Sequence, residues 1–227
     1  TRSAHWRSPT EREVKVVSER LVSFVQRAIM AIRYRVEPVG ESARLVLQSE
    51  LVTNEQLPDP GRDPRVAAVL ERPLEPVEQD CRDMRLALLH QTRHSGIRVA
   101  SAADHTIEAP QGVPVSVESE ISPEWGRVTV TAALKPGQKL RLVKFLSYGW
   151  SSERSVPALR DQVAAGLTGA MHTGWEGLLA DQRQYLDDFW DRADVEVEGD
   201  EELQQAVRFA LFHVLQAGAR GEERPIA

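Results

Sequence analysis

The sequence predicts a mainly β chain, in which an antiparallel β-sandwich is followed by helices. From Glu13 to about Tyr148, apolar and polar residues alternate with a period of two, which is typical of half-buried strands. Turn residues separate these runs at short spacing, without helical patterns between them, which favours stacked antiparallel sheets over a parallel sheet. At Ser151 the period changes from two to about 3.6, the period of an amphipathic helix.

Short motifs rich in proline, glycine or serine bound the predicted strands, at residues 37–42, 94–96, 109–112 and 135–138. The apolar positions of the runs are Val14, Val16, Ala28, Ile29, Ile32, Tyr34, Val36, Leu45, Leu47, Leu86, Leu88, Val128, Val130, Leu140 and Leu142. The turn Lys135-Pro-Gly-Gln138 separates two alternating runs, residues 126–134 and 139–148. The sequence predicts that these two runs pair as an antiparallel hairpin.

A proline-rich polar segment interrupts the alternation between Leu57 and Pro76. We expect a long loop there, with one short helix at residues 65–70. Long loops on a sandwich often contact another domain, but a mobile insertion without a role fits this composition equally well. The sequence leaves both interpretations open.

Helical patterns follow the strands. Ser155 is placed to cap the first helix, and Pro157 is tolerated in its first turn. The apolar face of this helix comprises Val156, Leu159, Val163, Leu167 and Ala170. A second helical pattern follows His172-Thr-Gly174, and its apolar residues are Trp175, Leu178, Leu179, Leu186, Phe189 and Trp190.

A third helix begins after a short alternating link at residues 193–199. Asp200 is a favourable N-cap, and Glu201 and Glu202 suit the positive end of the helix dipole. One apolar stripe comprises Leu203, Ala206, Val207, Ala210, Leu211, Val214 and Leu215. The few residues after this helix cannot cover the stripe, so we expect further helices to follow in the full protein.

Composition excludes several classes of protein. The chain has 227 residues, 41% of them hydrophobic, which is enough for a buried core. A formal charge of -6 argues against nucleic acid as a partner. The single cysteine, Cys81, excludes an internal disulfide, and no apolar stretch is long enough to span a membrane. We expect a cytoplasmic protein without a membrane partner, and both termini look like those of a fragment.

The C-terminal third carries a family resemblance. Residues 185–200, Tyr-Leu-Asp-Asp-Phe-Trp-Asp-Arg-Ala-Asp-Val-Glu-Val-Glu-Gly-Asp, run directly into Glu-Glu-Leu-Gln-Gln-Ala-Val-Arg-Phe-Ala at residues 201–210. This passage resembles the entry into the catalytic barrel of glycoside hydrolase family 65, the maltose, trehalose and kojibiose phosphorylases. Residues 18–23, 27–33 and 144–152 resemble strands of the N-terminal sandwich of that family.

The resemblance implies an architecture and a set of boundaries. Residues 1–150 would form an antiparallel β-supersandwich, residues 151–198 a helical linker, and residues 199–227 the first helix of a truncated (α/α)6 barrel. The rest of the parent chain would then be the first partner of this fragment. The family's catalytic glutamate would lie beyond Ala227, so we assign no catalytic residue to this chain.

The resemblance also implies an activity for the parent enzyme. Most members are inverting phosphorylases that convert an α-linked glucose disaccharide and inorganic phosphate to β-glucose 1-phosphate and a free sugar. Phosphate is the co-substrate and no other cofactor is implied, and a homo-oligomer is expected. A trehalase-like hydrolase of the same family is one alternative. An independent carbohydrate-binding sandwich is another, although such a module has no use for an unpartnered third helix.

Two groups of carboxylates mimic a catalytic constellation. Glu196 and Glu198 alternate with valines, so they share one face and could form a catalytic pair, although a solvated strand face is the interpretation we favour. Asp187, Asp188 and Asp191 lie near a helix end, where we expect structural pairing with Arg183 or Arg192. Substrate-binding residues stay unknown.

The spacing of the histidines and the cysteine predicts no metal or catalytic site. The histidines, His5, His90, His94, His105, His172 and His213, lack the spacing of a metal site on one helix. His213 is expected to be a core or interface residue, and Cys81 an ordinary thiol. No phosphate-binding glycine loop indicates a nucleotide cofactor.

Exposed tryptophans are candidate sugar-binding residues, because sugar rings stack on aromatic side chains. Trp175 and Trp190 lie on apolar helix faces, so we expect both to pack in a core. Trp125 lies between Pro123 and Gly126 and is the best exposed candidate for sugar stacking, ahead of Trp150.

Overall fold

The fold is a sandwich of two antiparallel sheets with a long helix on the outside. The computed structural model describes residues 1–9, 11–55 and 72–221. The expected helix at residues 65–70 therefore lies outside the described residues. The strands are β1 (Arg2–Arg7), β2 (Glu13–Val22), β3 (Ile29–Val39), β4 (Ala43–Val52), β5 (Leu74–Arg82), β6 (Arg85–Thr92), β7 (Arg98–Glu108), β8 (Val115–Ile121), β9 (Trp125–Leu134) and β10 (Leu140–Ser151), followed by helices α1 (Val156–Ala193) and α2 (Glu201–Gly221).

The two sheets differ in size. The larger sheet has the strand order β1-β2-β3-β10-β7-β6-β5, and the smaller sheet has the order β4-β9-β8. Between the sheets lies a core of aliphatic side chains from both inner faces, including Leu86, Val128, Val130, Leu140 and Leu142, each almost fully buried. The sandwich predicted from the alternation is therefore confirmed.

The predicted hairpin at Lys135-Pro-Gly-Gln138 is wrong. The turn itself forms, with the amide of Gln138 donating to the carbonyl of Lys135 at 3.0 Å. However, β9 belongs to the smaller sheet and β10 to the larger sheet, so the turn crosses between the sheets. The reason lies in β10, which is apolar on both faces: Leu142 points into the sandwich, whereas Phe145 packs under α1. Such a strand is most fully buried at the centre of a sheet.

Helix α1 covers the other face of the larger sheet. The Ser155 side chain caps its first turn as predicted, by accepting from the amide of Ala158 at 3.4 Å. Leu159, Val163 and Leu167 are buried against the sheet. Gly174 has a φ of 68° inside the helix, a conformation that glycine tolerates best, and it divides α1 where the sequence predicts two helices.

A buried polar network links the two sheets. On β7, His105 Nδ1 donates to the carbonyl of Met84 at 3.0 Å, which leaves Nε2 to accept from the Ser49 hydroxyl on β4 at 2.7 Å. Burial is the main cause that lowers the pKa of His105 to about 4. The folded state therefore holds this imidazole neutral at physiological pH.

This network predicts loss of stability in mild acid. The unfolded histidine has a pKa of about 6.5, so its contribution is fully present above that pH and is lost as the pH falls towards 4. Protonation should lower the free energy of unfolding by about 3 kcal/mol at pH 4. Urea unfolding between pH 7 and 4 should show a shallower decline for His105→Gln than for the unchanged chain. His172→Gln, at an exposed position on α1, should leave the decline unchanged, and equal slopes for all three proteins would contradict the assignment.

Candidate functional site

The candidate functional site is the exposed surface of α2 and the link that holds it to α1. We call this region the α2 surface. It comprises the cleft-lining residues Val197, Asp200, Gln204, Arg208, Phe209 and Phe212, together with two exposed apolar side chains outside the cleft, Leu203 and Val214. A cleft of about 760 Å³ opens along this surface. The surface is therefore both concave and apolar in part.

The start of α2 is formed by local capping. Asp200 Oδ1 accepts from the amide of Leu203 at 2.9 Å, as expected of an N-cap. Gly199 before it has a φ of 84°, which turns the chain into the helix. The N-terminal boundary predicted for the third helix is therefore confirmed.

Two side chains of α2 bind the link back to α1. The Gln204 amide accepts from the amide of Val197 at 2.7 Å and donates to the carbonyl of Val195 at 2.9 Å. Arg208 donates to both carboxylate oxygens of Asp194, the residue that ends α1, and this pair lowers the pKa of the Asp194 carboxyl. The two contacts fix the direction in which α2 leaves the linker.

An aromatic cluster attaches α2 to the sandwich. Phe24, in the turn between β2 and β3, stacks on Tyr185 of α1 with ring centroids 5.2 Å apart. Phe212 of α2 meets the edge of Phe24 at 6.3 Å. The amide of Phe24 also donates to Gln182 at 3.0 Å. One turn of the sandwich therefore contacts both helices.

The predicted apolar stripe of α2 divides into two sides. Val207, Leu211 and Leu215 are half-buried. Leu203, Ala206, Ala210 and Val214 are exposed, with 49% of Leu203 and 66% of Val214 accessible. Phe209, which the predicted stripe omitted, is 65% exposed beside them. A helix face of this kind is normally covered by a partner.

Most residues weighed as candidates from the sequence lie apart from one another. Glu196 and Glu198 are exposed in the link, which forms a turn and no strand, and Asp187, Asp188 and Asp191 are exposed on α1. Asp188 accepts from Gln184 at 2.9 Å instead of pairing with the arginine partners expected for this acidic group. His213 is exposed against the Phe209 ring, so it is not a core residue of this chain.

The buried histidines and the cysteine have structural roles within the sandwich. His90 lies 3.0 Å from the carbonyl of Pro123, and His94 is exposed in the following turn, so the two rings do not converge. Cys81 packs against the inter-sheet core, and burial raises the pKa of its thiol. Across residues 1–9, 11–55 and 72–221, no group of three or more metal-ligating side chains is placed to hold an ion.

Of the tryptophan predictions, the one for Trp175 is confirmed and the one for Trp125 is wrong. Trp175 of α1 is 7% exposed in the core between α1 and the larger sheet, with the Arg33 guanidinium 4.6 Å from its ring. Trp190 is half-buried against Phe189. Trp125 is not the most exposed tryptophan, because it is half-buried next to Arg127, whereas Trp150 is 56% exposed. Alternation alone did not show that β9 is the central strand of the smaller sheet, with neighbours on both sides.

These features define the chain as an antiparallel sandwich domain with a C-terminal helical arm. The family model for the N-terminal domain of glycosyl hydrolase family 65 matches residues 1–189. The chain therefore belongs to that family. Among the described residues, neither helix is long and apolar enough to cross a membrane.

Relatives extend far beyond the length of this chain. An uncharacterized glycosyl hydrolase of Mycobacterium tuberculosis is 55% identical over 226 residues, which cover 100% of this chain and 28% of that protein. An α,α-trehalose phosphorylase of Thermoanaerobacter brockii is 28% identical over 227 residues, 100% of this chain and 29% of that enzyme. The chain thus spans less than a third of either relative.

A solved structure shares the fold. A protein provisionally described as a kojibiose phosphorylase from the human microbiome superposes with a TM-score of 0.79 at 14% identity. The match covers 95% of this chain and 26% of that one. At this identity the comparison supports the fold and its helical arm.

The bidentate contact of Gln204 gives a direct test of how the link is held. Gln204→Ala removes the acceptor of the Val197 amide. Hydrogen exchange of the Val197 amide should therefore become about fivefold faster, which corresponds to a loss of about 1 kcal/mol in the free energy of local opening. Gln205→Ala is the matched control, because Gln205 is exposed and makes no side-chain hydrogen bond within the described part of the chain. Unchanged exchange at Val197 in Gln204→Ala would contradict this role.

Proposed function

We propose that this chain is the non-catalytic N-terminal part of an enzyme that cleaves α-glucosidic disaccharides. The reaction is inverting phosphorolysis, which yields β-glucose 1-phosphate and a free sugar. The observation that carries the proposal is the exposed α2 surface on a family 65 domain that spans 28% of its mycobacterial relative. The trehalose phosphorylases among its relatives support the choice of reaction.

The role of this part is to support the catalytic barrel. Leu203, Phe209 and Val214 present apolar area that further helices of the longer polypeptide would bury. Between 49% and 66% of each side chain is exposed and available for burial. At 1.5 to 3 kcal/mol for a fully buried side chain, burial of these exposed parts would stabilise the docked state by about 3 to 5 kcal/mol. The Asp194 to Arg208 pair and the Gln204 contacts hold α2 in place before docking, which lowers the entropic cost.

The nucleophile determines which catalytic groups the enzyme needs. Phosphate attacks without a general base, so one carboxylic acid that protonates the leaving oxygen is sufficient for phosphorolysis. We propose that this acid and the sugar-binding residues belong to the barrel, with inorganic phosphate as co-substrate and no organic cofactor. The exposed carboxylates Glu196 and Glu198 take no step in the reaction.

We also propose that the parent enzyme is a cytoplasmic homo-oligomer. A single half-buried cysteine, Cys81, suits a reducing compartment. In the isolated chain the uncovered α2 surface favours self-association through its apolar side chains.

An activity assay tests the proposal. The isolated chain and a longer polypeptide that continues into the barrel would each be incubated with trehalose, maltose, kojibiose and nigerose, with and without phosphate. The isolated chain should turn over none of the four sugars, because it lacks the acid. The longer polypeptide should release β-glucose 1-phosphate from one of them, and only when phosphate is present.

Each other outcome of the assay has a defined meaning. Turnover by the isolated chain would place the acid within residues 1–227 and overturn the non-catalytic assignment. Release of glucose without phosphate by the longer polypeptide would identify a trehalase-like hydrolase and overturn the phosphorolysis assignment.

A further inference from the structure

Strand β4 has one free edge. Just beyond β4, the amide of Thr53 donates to the carbonyl of Glu124 next to β9 at 2.8 Å, so odd-numbered residues direct their backbone groups towards β9. Backbone groups alternate in direction along a strand, so Arg44, Val46 and Gln48 direct theirs towards the opposite edge. In the described part of the chain, β9 is the one strand that pairs with β4.

The position of Lys144 confirms this alternation. Lys144 on β10 donates its ammonium to the carbonyl of Glu50, which must therefore point away from β9. Burial lowers the pKa of Lys144 to about 8, which reflects a charge held between the sheets. The lysine occupies the free edge at Glu50 and leaves the edge at Arg44, Val46 and Gln48 open.

The larger sheet extends beyond the free edge. Strand β4 lies above β7 and β10, as the contacts from Ser49 to His105 and from Lys144 to Glu50 show. Strands β9 and β8 lie further in the opposite direction, next to β6 and β5. Strands β1, β2 and β3 therefore continue past β4 without cover from the smaller sheet, and we call them the β1–β3 extension.

The face of the β1–β3 extension that continues the inner face of the larger sheet carries apolar side chains and is open in part, because Val36 on this face is buried while several of its neighbours are exposed. Tyr34 is the register partner of Leu142, which is buried under the smaller sheet, so Tyr34 belongs to the same face. Tyr34 is nevertheless 36% exposed, and Trp6, opposite Val14 on that face, is 56% exposed. Val14 and Val16 between them are only half-buried. A sheet face of this composition is suited to a second layer.

We propose that the free edge of β4 accepts one further β-strand, supplied by the part of the longer polypeptide outside this chain. Strands lie about 4.8 Å apart and sheets about 10 Å apart, so a strand added beside β4 lies above the β1–β3 extension. Its inward side chains are apolar and cover Tyr34 and Val16, and its backbone pairs with Arg44, Val46 and Gln48. The inference rests on the proposed function only in requiring a longer polypeptide, as the length of the relatives suggests.

A second copy of this chain fits the free edge poorly. Two identical edges pair antiparallel about a two-fold axis normal to the sheet, which keeps both larger sheets on the same side. In such a dimer, the β1–β3 extension of each copy would lie beneath β4 of its partner. The two extensions would then occupy the same layer and overlap. A single extended segment has no such extension, so it pairs without overlap.

Residue-resolved hydrogen exchange tests the inference in the unaltered sequence. In the isolated chain, the amides of Arg44, Val46 and Gln48 should exchange about a hundredfold faster than those of Leu45 and Leu47, which pair with β9. In the longer polypeptide, the three fast amides should slow to the level of the other two. Leu45 and Leu47 serve as the internal control in both proteins.

Two results would overturn the inference and leave the proposed function separately testable. If the three amides stay fast in the longer polypeptide while the amides of α2 become slower, the barrel docks as proposed but β4 gains no strand. If the three amides are protected in the isolated chain, and more so at higher protein concentration, the edge belongs to a second copy.

Discussion

The close contact between α1 and the centre of the larger sheet is the constraint on which the rest of the structure depends. A Cβ atom at Gly149 on β10 would lie 2.9 Å from Val163 Cγ2 and 3.1 Å from Leu159 Cδ1, nearer than side-chain carbons normally approach. Gly166 of α1 approaches Ser147 in the same way, at 3.0 Å. Because α1 side chains lie directly on the β10 backbone at Gly149, and the Ser147 side chain lies directly on the α1 backbone at Gly166, α1 has one position on the sheet, and that position determines where α2 begins.

The two unpartnered surfaces follow from this arrangement. Helix α1 covers the outer face of the larger sheet, and the three-stranded sheet covers only part of the inner face. The α2 surface and the free edge of β4 remain open, on a domain whose relatives are more than three times as long. Both regions include exposed apolar side chains that a neighbour would bury, and neither carries a catalytic constellation among the described residues.

The sequence predicted the fold class and several boundaries because periodicity and capping are local signals. Ser155 and Asp200 cap their helices as expected, and Trp175 is buried. The pairing of β9 with β10 was wrong, because alternation shows which face is apolar but not which strand is the neighbour. Phe209 and Phe212 were missed because they lie beside the aliphatic stripe, although the aromatic pair in Arg208-Phe-Ala-Leu-Phe212 was a visible signal.

The stability of Gly149→Ala relative to Gly169→Ala tests most directly whether the contact between α1 and the sheet holds the domain together. The Gly149 substitution should lower the free energy of unfolding by about 1 to 3 kcal/mol and loosen α2 as well, because α1 must move away from β10. Gly169 lies on the exposed side of α1 with no atom within 4 Å of the added Cβ, so alanine there should stabilise the helix by about 0.5 to 1 kcal/mol. Equal stability for the two variants would contradict the account.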